Sequence, residues 1–283
     1  MIKIRKQVRG INMKKIVLGL ILIGAALVCI SSMFVHNRMS NETFTTTKPV
    51  RELVVDDRNM PVDIVGVSGN RTRINYKKSR DIKYNIKQTN NTLTLERKRS
   101  IGFNFDFFNF GNSSPRVTIE VPKAKLKDLQ VETSNGKLST ENLVLDNLNL
   151  ETSNSKMIIN DVDANSVDAE TSNGKVELSQ LKFDDGSFET SNGKMDLSDL
   201  NFNEGEFQTS NGKINLMNVK PKESLSLETS NSEVNGTIIG NKEDFSITSK
   251  TSNASNNLGN QKNGSKELEV RTSNADIEIA FVR

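Results

Sequence analysis

Apolar and polar residues alternate by two along most of this chain beyond residue 44, in runs too short for long strands and too regular for loops. In TSNGKVELSQLKFDDGSFE, residues 171 to 189, the apolar positions are Val176 and Leu178, then Leu181 and Phe183, then Phe188. The next copy carries Met195, Leu197, Leu200, Phe202 and Phe207 in the same slots. A period of two marks half-buried strands, and two or three short strands per copy with corners between them account for the spacing. Earlier in the chain ELVVDD, VDIVGV, TRINYK, TLTLER and RVTIEV continue the pattern less regularly. No stretch has the 3.6-residue periodicity that a crossover helix needs.

The pattern repeats. Thr-Ser-Asn begins at residues 133, 152, 171, 190, 209, 229, 251 and 272, with spacings of 19, 19, 19, 19, 20, 22 and 21. A fixed period of this size predicts a stacked array in which each copy is one rung. The expected fold is all-β, a parallel β-helix or β-solenoid with rungs of about 19 residues. Asn-Gly pairs at 135, 173, 192 and 211 also suit tight hairpins, so an antiparallel meander is the alternative. Stacking gives a reason for identical corners that a meander does not. Asn135, Asn154, Asn173, Asn192, Asn211, Asn231, Asn253 and Asn274 are expected to form a structural ladder of amides about 4.8 Å apart. Glu132, Glu151, Glu170 and Glu189 precede the corner and Lys137, Lys156, Lys175 and Lys194 follow it, and the expectation is that these two rows relieve each other's repulsion.

Ahead of the strands, residues 16 to 35 read IVLGLILIGAALVCISSMFV without a charge, long enough to cross a bilayer as a helix. Residues 1 to 40 hold seven Lys or Arg and no acid, six of them before the apolar run, so the N-terminus is expected in the cytoplasm and everything after His36 outside it. A cleaved signal peptide is the other reading of this segment. The expected organisation is a basic N-terminus at 1–15, a transmembrane anchor at 16–35, a linker at 36–44, irregular β rungs and a cap at 45–122, and the regular solenoid at 123–283.

Charge divides the exterior: residues 41 to 115 carry 13 basic against 8 acidic side chains, and Arg116 onward 18 against 27. The acidic distal part and its external location argue against nucleic acid as a partner. Within the basic part, IGFNFDFFNFG places Phe103, Phe105, Phe107, Phe108 and Phe110 after Arg97, Lys98 and Arg99. These residues are either a plug for the end of the coil or a candidate contact with a partner or the membrane interface.

Catalytic chemistry finds little footing. His36 is the only histidine and Cys29 the only cysteine, so nucleophile and base pairs are absent and no cofactor or metal is expected. Asp184 with Asp185 and Asp161 with Asp163 are the carboxylate pairs that a polysaccharide-active β-helix would use. Each falls where polar corner residues are expected anyway.

The stretch VPKAKLKDLQVETSNGKL from Val121, followed by the T-S-N-G-K copies, resembles the bacterial β-strand-repeat family known as "putative adhesins". With its anchor the chain looks most like the LiaG-like membrane-anchored proteins of a Gram-positive envelope-stress system. The resemblance implies a non-catalytic adhesin-like or scaffold module in the cell envelope, with an envelope protein or an anionic wall polymer as partner. It offers no catalytic residues. A polysaccharide-active β-helix enzyme is the alternative.

Overall fold

Strands make up most of the described part of the chain. The computed structural model describes residues 39–98 and 115–283. The expected anchor at 16–35 and the phenylalanines at 103–110 lie outside the described residues, among which no helix is long and apolar enough to cross a membrane. The N-terminal part comprises β1 Ser40–Thr46, β2 Glu52–Asp56, β3 Val62–Val67, β4 Thr72–Lys78, β5 Tyr84–Thr89, β6 Thr92–Arg97, β7 Val117–Pro122 and β8 Asp128–Thr133. The regular part follows as β9 Leu138–Thr152, β10 Met157–Thr171, β11 Val176–Thr190, β12 Met195–Ser198, β13 Asn201–Thr209 and β14 Ile214–Thr229. It closes with β15 Val234–Ile239, β16 Phe245–Lys250, β17 Lys266–Arg271 and β18 Ile277–Val282.

Strands β9 to β14 pair in parallel, each residue beside its counterpart one copy away: Leu138 with Met157, Met157 with Val176, Val176 with Met195, Met195 with Ile214. This is a coil of stacked rungs around a closed core. The antiparallel meander that the Asn-Gly pairs also allow does not form in these rungs.

Each rung turns its side chains inward in three pairs and then a threonine. In β10 the inward residues are Met157 and Ile159, Val162 and Ala164, Val167 and Ala169, and Thr171. A two-residue alternation would keep Asp161 in step with Ile159. Instead Asp161 takes a φ of 50°, the left-handed region, and shifts the phase by one residue. Its column mates Asn142, Gln180, Asp199 and Asn218 do the same, with φ from 51° to 58°. Four of the five are Asn or Asp, the non-glycine residues that bear this conformation best.

Inside, like stacks on like. Phe183 lies on Phe202 with ring centroids 4.7 Å apart and planes 6° off parallel, and Phe188 lies on Phe207 at 4.8 Å and 5°. Those separations are the strand spacing itself. The large rings are accommodated by small neighbours: Gly186 and Gly205 occupy the column that holds Leu148, Val167 and Leu225 elsewhere, and a Cβ at Gly205 would approach Phe202 to 2.7 Å. Fully burying each such ring contributes roughly 1.5–3 kcal/mol.

The Thr-Ser-Asn-Gly corner is bonded along and across the coil. Thr190 is 1% exposed; its Oγ1 accepts from the Gly193 amide at 3.0 Å and donates to the Gly174 carbonyl of the rung before at 3.2 Å. Thr209 repeats this with Gly212 and Gly193. Glycine is needed at Gly193 because a Cβ there would collide with the Gly174 carbonyl. Where serine replaces the glycine, at Ser155 and Ser232, its hydroxyl donates instead to the preceding corner's Asn135 and Asn211 carbonyls. Thr152, in the first such corner, is left with an unpartnered buried hydroxyl.

Spatial order departs from sequence order at both ends. Strands β2 and β3 lie directly against β8 and β9, with Glu52 beside Asp128 and Val62 beside Leu138. Outside them come β6 and β7, which then pair antiparallel with β5 and β4. At the other end β17 sits between β14 and β16, and β18 lies on β15. The last copy in sequence is thus inserted before the seventh. Residues 251 to 265 then cover the exposed strands: Gln261 exchanges backbone hydrogen bonds with Ile247, and the Asn257 amide bonds Ile279 in both directions.

Two threonines in equivalent positions should respond oppositely to loss of the hydroxyl. Thr190→Val strands the Gly193 amide and the Gly174 carbonyl, and is expected to lower unfolding free energy by about 1–3 kcal/mol. Thr152→Val removes a hydroxyl without a partner and is expected to leave stability equal or higher. Urea denaturation of the two variants beside the parent measures both; equal losses would contradict this account of the corner.

Candidate functional site

Because every rung repeats the one below, any outward position becomes a column of side chains about 4.8 Å apart. What the surface presents is therefore decided column by column. The last segment of each rung, from Asn147 to Thr152 in β9, offers three such columns.

The third of them aligns Glu132, Glu151, Glu170 and Glu189, continuing through Gln208 to Glu228. All five glutamates are exposed, and none forms an ion pair with a described residue. The neighbouring columns add Asp168 and Glu206, then Asp185 and Glu204. Between these columns lies a groove of about 440 Å³ lined by Asp168, Asp185, Glu204 and Glu206 with Gly186, Gly205 and four serines. Gly186 and Gly205 stand between its acidic columns, and the space on their inward side is filled by the phenylalanines.

The lysine row behaves differently. Lys156 reaches Glu177 at 2.6 Å, Lys175 reaches Glu177 at 2.5 Å and Asp196 at 2.6 Å, and Lys194 reaches Asp196 at 2.8 Å. Lys213 pairs with Glu233. The result is a zigzag of alternating charge that climbs from rung to rung. For Lys175 and Lys194 one acid lies two residues on, Glu177 and Asp196, and for Lys156, Lys175 and Lys213 an acid comes from the next rung, so none belongs to the Glu151 row that sequence proximity to the corner suggested. The reason is geometric: Glu170 and Lys175 lie on opposite sides of the corner, whereas Lys175 and Glu177 share an outward face.

Partial burial pushes the Asp196 carboxyl upward, but hydrogen bonds from Lys175, Lys194 and Asn215 outweigh it and hold the group at about 2. Glu177 is also held low: desolvation again opposes, and the bonds from Lys156 and Lys175 prevail. Hydrogen bonds to Asp196 and Glu177 raise Lys175 correspondingly.

The asparagines of the corners are in contact along the coil. Asn135 Nδ2 donates to Asn59 Oδ1 at 2.8 Å, Asn154 to Asn135 at 2.8 Å, Asn173 to Asn154 at 2.8 Å, Asn192 to Asn173 at 2.7 Å, and Asn211 to Asn192 at 2.8 Å. Asn231 then donates to Asn211, Asn274 to Asn231 and Asn253 to Asn274. Asn59 belongs to this row although no Thr-Ser-Asn marks it. Its corner is Asp57-Arg58-Asn59-Met60, in which the Asp57 carboxylate does what the threonine hydroxyl does elsewhere. It accepts from the amides of Arg58, Asn59 and Met60 at 2.6–2.9 Å. The signal in sequence was Asn59 followed by the VDIV strand at the usual corner spacing.

Asp57 also fixes the place of Arg97. The Arg97 guanidinium is buried 3.5 Å from Asp57 Oδ1, and the Tyr84 hydroxyl donates to Asp57 Oδ2 at 2.5 Å. Burial first, then the charge and hydrogen bond of Asp57, push the Tyr84 phenol far above its ordinary value. Arg97 therefore faces into the end of the coil, while Lys98 is exposed. Arg99 and Phe103, Phe105, Phe107, Phe108 and Phe110 lie outside the described residues. The carboxylate pairs separate: Asp163 binds Lys182 at 2.8 Å, Asp161 lies 3.8 Å from Lys123, Asp184 accepts from Asn203, and Asp185 alone lines the groove. Among the described residues no group of three or more His, Cys, Asp or Glu is placed to hold a metal ion.

The profile of the Toastrack DUF4097 family matches residues 50–280, and the chain belongs to that family. Among solved structures it is similar to a "putative adhesin" from Bacteroides fragilis at 13% identity, covering 86% of this chain and 97% of that one with a TM-score of 0.52. A "putative adhesin" from Parabacteroides merdae aligns at 10% identity over 86% of this chain and 96% of that one, TM-score 0.44. A "putative lipid binding protein" from Parabacteroides distasonis aligns at 12% over 85% and 97%, TM-score 0.36. At these identities the first likeness speaks to fold alone. The curated proteins contain no match.

The low value at Asp196 makes its contribution to stability dependent on pH. A carboxyl depressed on folding adds stability above its unfolded value near 4, and that contribution is lost as pH falls through about 2. Asp196→Asn is expected to be less stable than the parent at pH 7, with the gap closing between about pH 4 and pH 2. Urea midpoints of both proteins across that range provide the check.

Proposed function

We propose that this Toastrack protein is a non-catalytic interaction module of the bacterial cell envelope, a β-solenoid of about 19-residue rungs. A transmembrane helix at 16–35 holds it at the outer face of the membrane, with the N-terminus in the cytoplasm. The anchor rests on the twenty-residue apolar run and the basic residues before it. A role in adhesion or as a scaffold, linked to envelope stress, rests on the family resemblance of the repeats.

The observation that carries the interaction reading is the unpaired carboxylate face. Adjacent glutamates 4.8 Å apart repel by about 1 kcal/mol in water, before the side chains splay apart. A purely structural surface relieves that cost within the fold, as the lysine zigzag does on the neighbouring face. The Glu132 to Glu189 column keeps it. A partner that brings cationic groups, such as a basic segment of an envelope protein, gains from every rung it spans. An anionic wall polymer would instead need the lysines, whose ammonium groups are already held by Glu177, Asp196 and Glu233. The groove carboxylates are what a polysaccharide-cleaving activity would draw on, and the same experiment separates that reading.

The full-length protein, purified in detergent, is incubated with envelope preparations, and retention is measured at rising salt. Retention is expected for the parent, to weaken with salt, and to be lost in the triple variant Glu151→Gln, Glu170→Gln, Glu189→Gln. Lys156→Gln, Lys175→Gln and Lys194→Gln together are expected to retain it. Retention that survives the glutamate changes overturns the carboxylate face as docking surface, and release of reducing ends from wall polysaccharide supports the enzyme reading.

A further inference from the structure

Six Asn-Gly pairs occur in the chain, at residues 135, 173, 192, 211, 235 and 263. An asparagine followed by glycine is the sequence most open to spontaneous deamidation, because glycine has no side chain to hinder attack by its nitrogen. The fold treats the six unequally.

At four corners both reacting groups are held. The Asn173 and Asn192 amides donate to the rung before and accept from the rung after, and the following glycine amides donate to Thr171 and Thr190 Oγ1 at 3.1 and 3.0 Å. Asn135 with Gly136 and Asn211 with Gly212 are bound in the same way. Asn235 lies within β15, whose backbone is paired on both sides, and its amide donates to Glu233 at 3.2 Å. Ring closure needs the glycine nitrogen to swing onto the asparagine Cγ. In these five places it requires local opening of the coil.

Asn263 is different. It is exposed, it has a φ of 146°, a value rare outside glycine, and its side chain makes no hydrogen bond among the described residues. The Gly264 amide likewise has no acceptor among them. We infer that Asn263 is a deamidation and isoaspartate site, the one Asn-Gly pair of this chain whose chemistry the fold leaves open. The Gly264 nitrogen gives its proton to solvent base and bonds to Asn263 Cγ; the Cγ–Nδ2 bond breaks, ammonia leaves, and a succinimide forms. One water then opens the ring at either carbonyl, giving aspartate or isoaspartate.

The site falls where such a change has structural consequences. Gly264 packs so closely on the Phe245 backbone that a Cβ would collide with it. Two residues earlier, Gln261 exchanges hydrogen bonds with Ile247 at 2.7 and 3.0 Å, and its side chain donates to the Lys242 and Phe245 carbonyls. Isoaspartate lengthens the main chain at this contact and adds a negative charge beside it. Deamidation at Asn263 thus marks the loop that covers the open edge of β16.

The test is peptide mapping after incubation of the full-length protein at mildly alkaline pH, with cleavage after glutamate so that residues 244 to 267 run as one peptide. Deamidation at Asn263 is expected at least about tenfold faster than at the other five, which react only through local opening. The same protein unfolded in urea is expected to lose this selectivity and react at all six. Asn263→Gln should abolish the fast component while the far-ultraviolet spectrum stays unchanged. Even reaction across six sites in the folded protein, or an inert Asn263 in a folded protein whose urea control reacts, overturns the inference.

Discussion

The close approach of successive backbones at the Thr-Ser-Asn-Gly corner is the constraint on which the regular coil depends. The Gly193 backbone comes so near the Gly174 carbonyl that no Cβ fits between them, and the Thr190 hydroxyl bridges the same two rungs from inside. A buried hydroxyl that both accepts and donates leaves no polar atom unpaired, which is why a polar residue can recur at the edge of an apolar core. Once the corner fixes the rise, the rest of each rung has no freedom of register. The phenylalanine stacks at 4.7 and 4.8 Å and the asparagine row outside are read off that same spacing.

That rise also dictates the electrostatics of the surface. Repetition at 4.8 Å forces like onto like unless the sequence changes from one rung to the next. Along the lysine column it does change in what it faces: Glu177 and Asp196 follow Ile158, and each acid lies between two lysines. Along the glutamate column it does not from Glu132 to Glu189. Two faces of one coil, under the same geometric rule, reach opposite solutions, and only the second leaves charge unspent within the fold.

Periodicity makes the stacked parallel rungs legible in the sequence, because the corner and the inward slots are local patterns. Val176, Leu178, Leu181, Phe183 and Phe188 all point inward as their alternation implies. What local pattern does not encode is which rung neighbours which. Pairing of β2 with β8 joins residues 52 and 128, and pairing of β14 with β17 joins 224 and 267, separations that no repeat length announces. Asn59 escaped notice for a related reason: an aspartate had taken the threonine's role, so the motif was present in function and absent in spelling. The acidic groove depends on the register between rungs, which brings Asp168, Asp185, Glu204 and Glu206 together and is not visible in a single copy.

The insertion of strands at both ends follows from the same open-edge problem. A parallel coil that simply stopped would expose a rung with unpaired backbone along its whole circumference. At the N-terminal end β6 and β7 each turn back into an antiparallel partner, β5 and β4, so the last parallel strands are paired by chain that no longer obeys the repeat. The C-terminal end is arranged differently. The chain instead skips a position, lays β16 beyond it, and returns to fill the gap with β17, leaving β16 as the terminal strand under the 251 to 265 loop. Side-chain amides there imitate a strand: Asn257, Asn260 and Gln261 meet the backbone groups of Ile279, Ser249 and Phe245. The order also places Arg271 next to Glu228 at the end of the glutamate column, where stacking in sequence order would have set Lys250 there and Arg271 beyond it. Either arrangement brings a cation to that glutamate, so charge does not select between them. In the inserted order β16 is the edge strand, and residues 251 to 265 cover it through the pairing of Gln261 with Ile247.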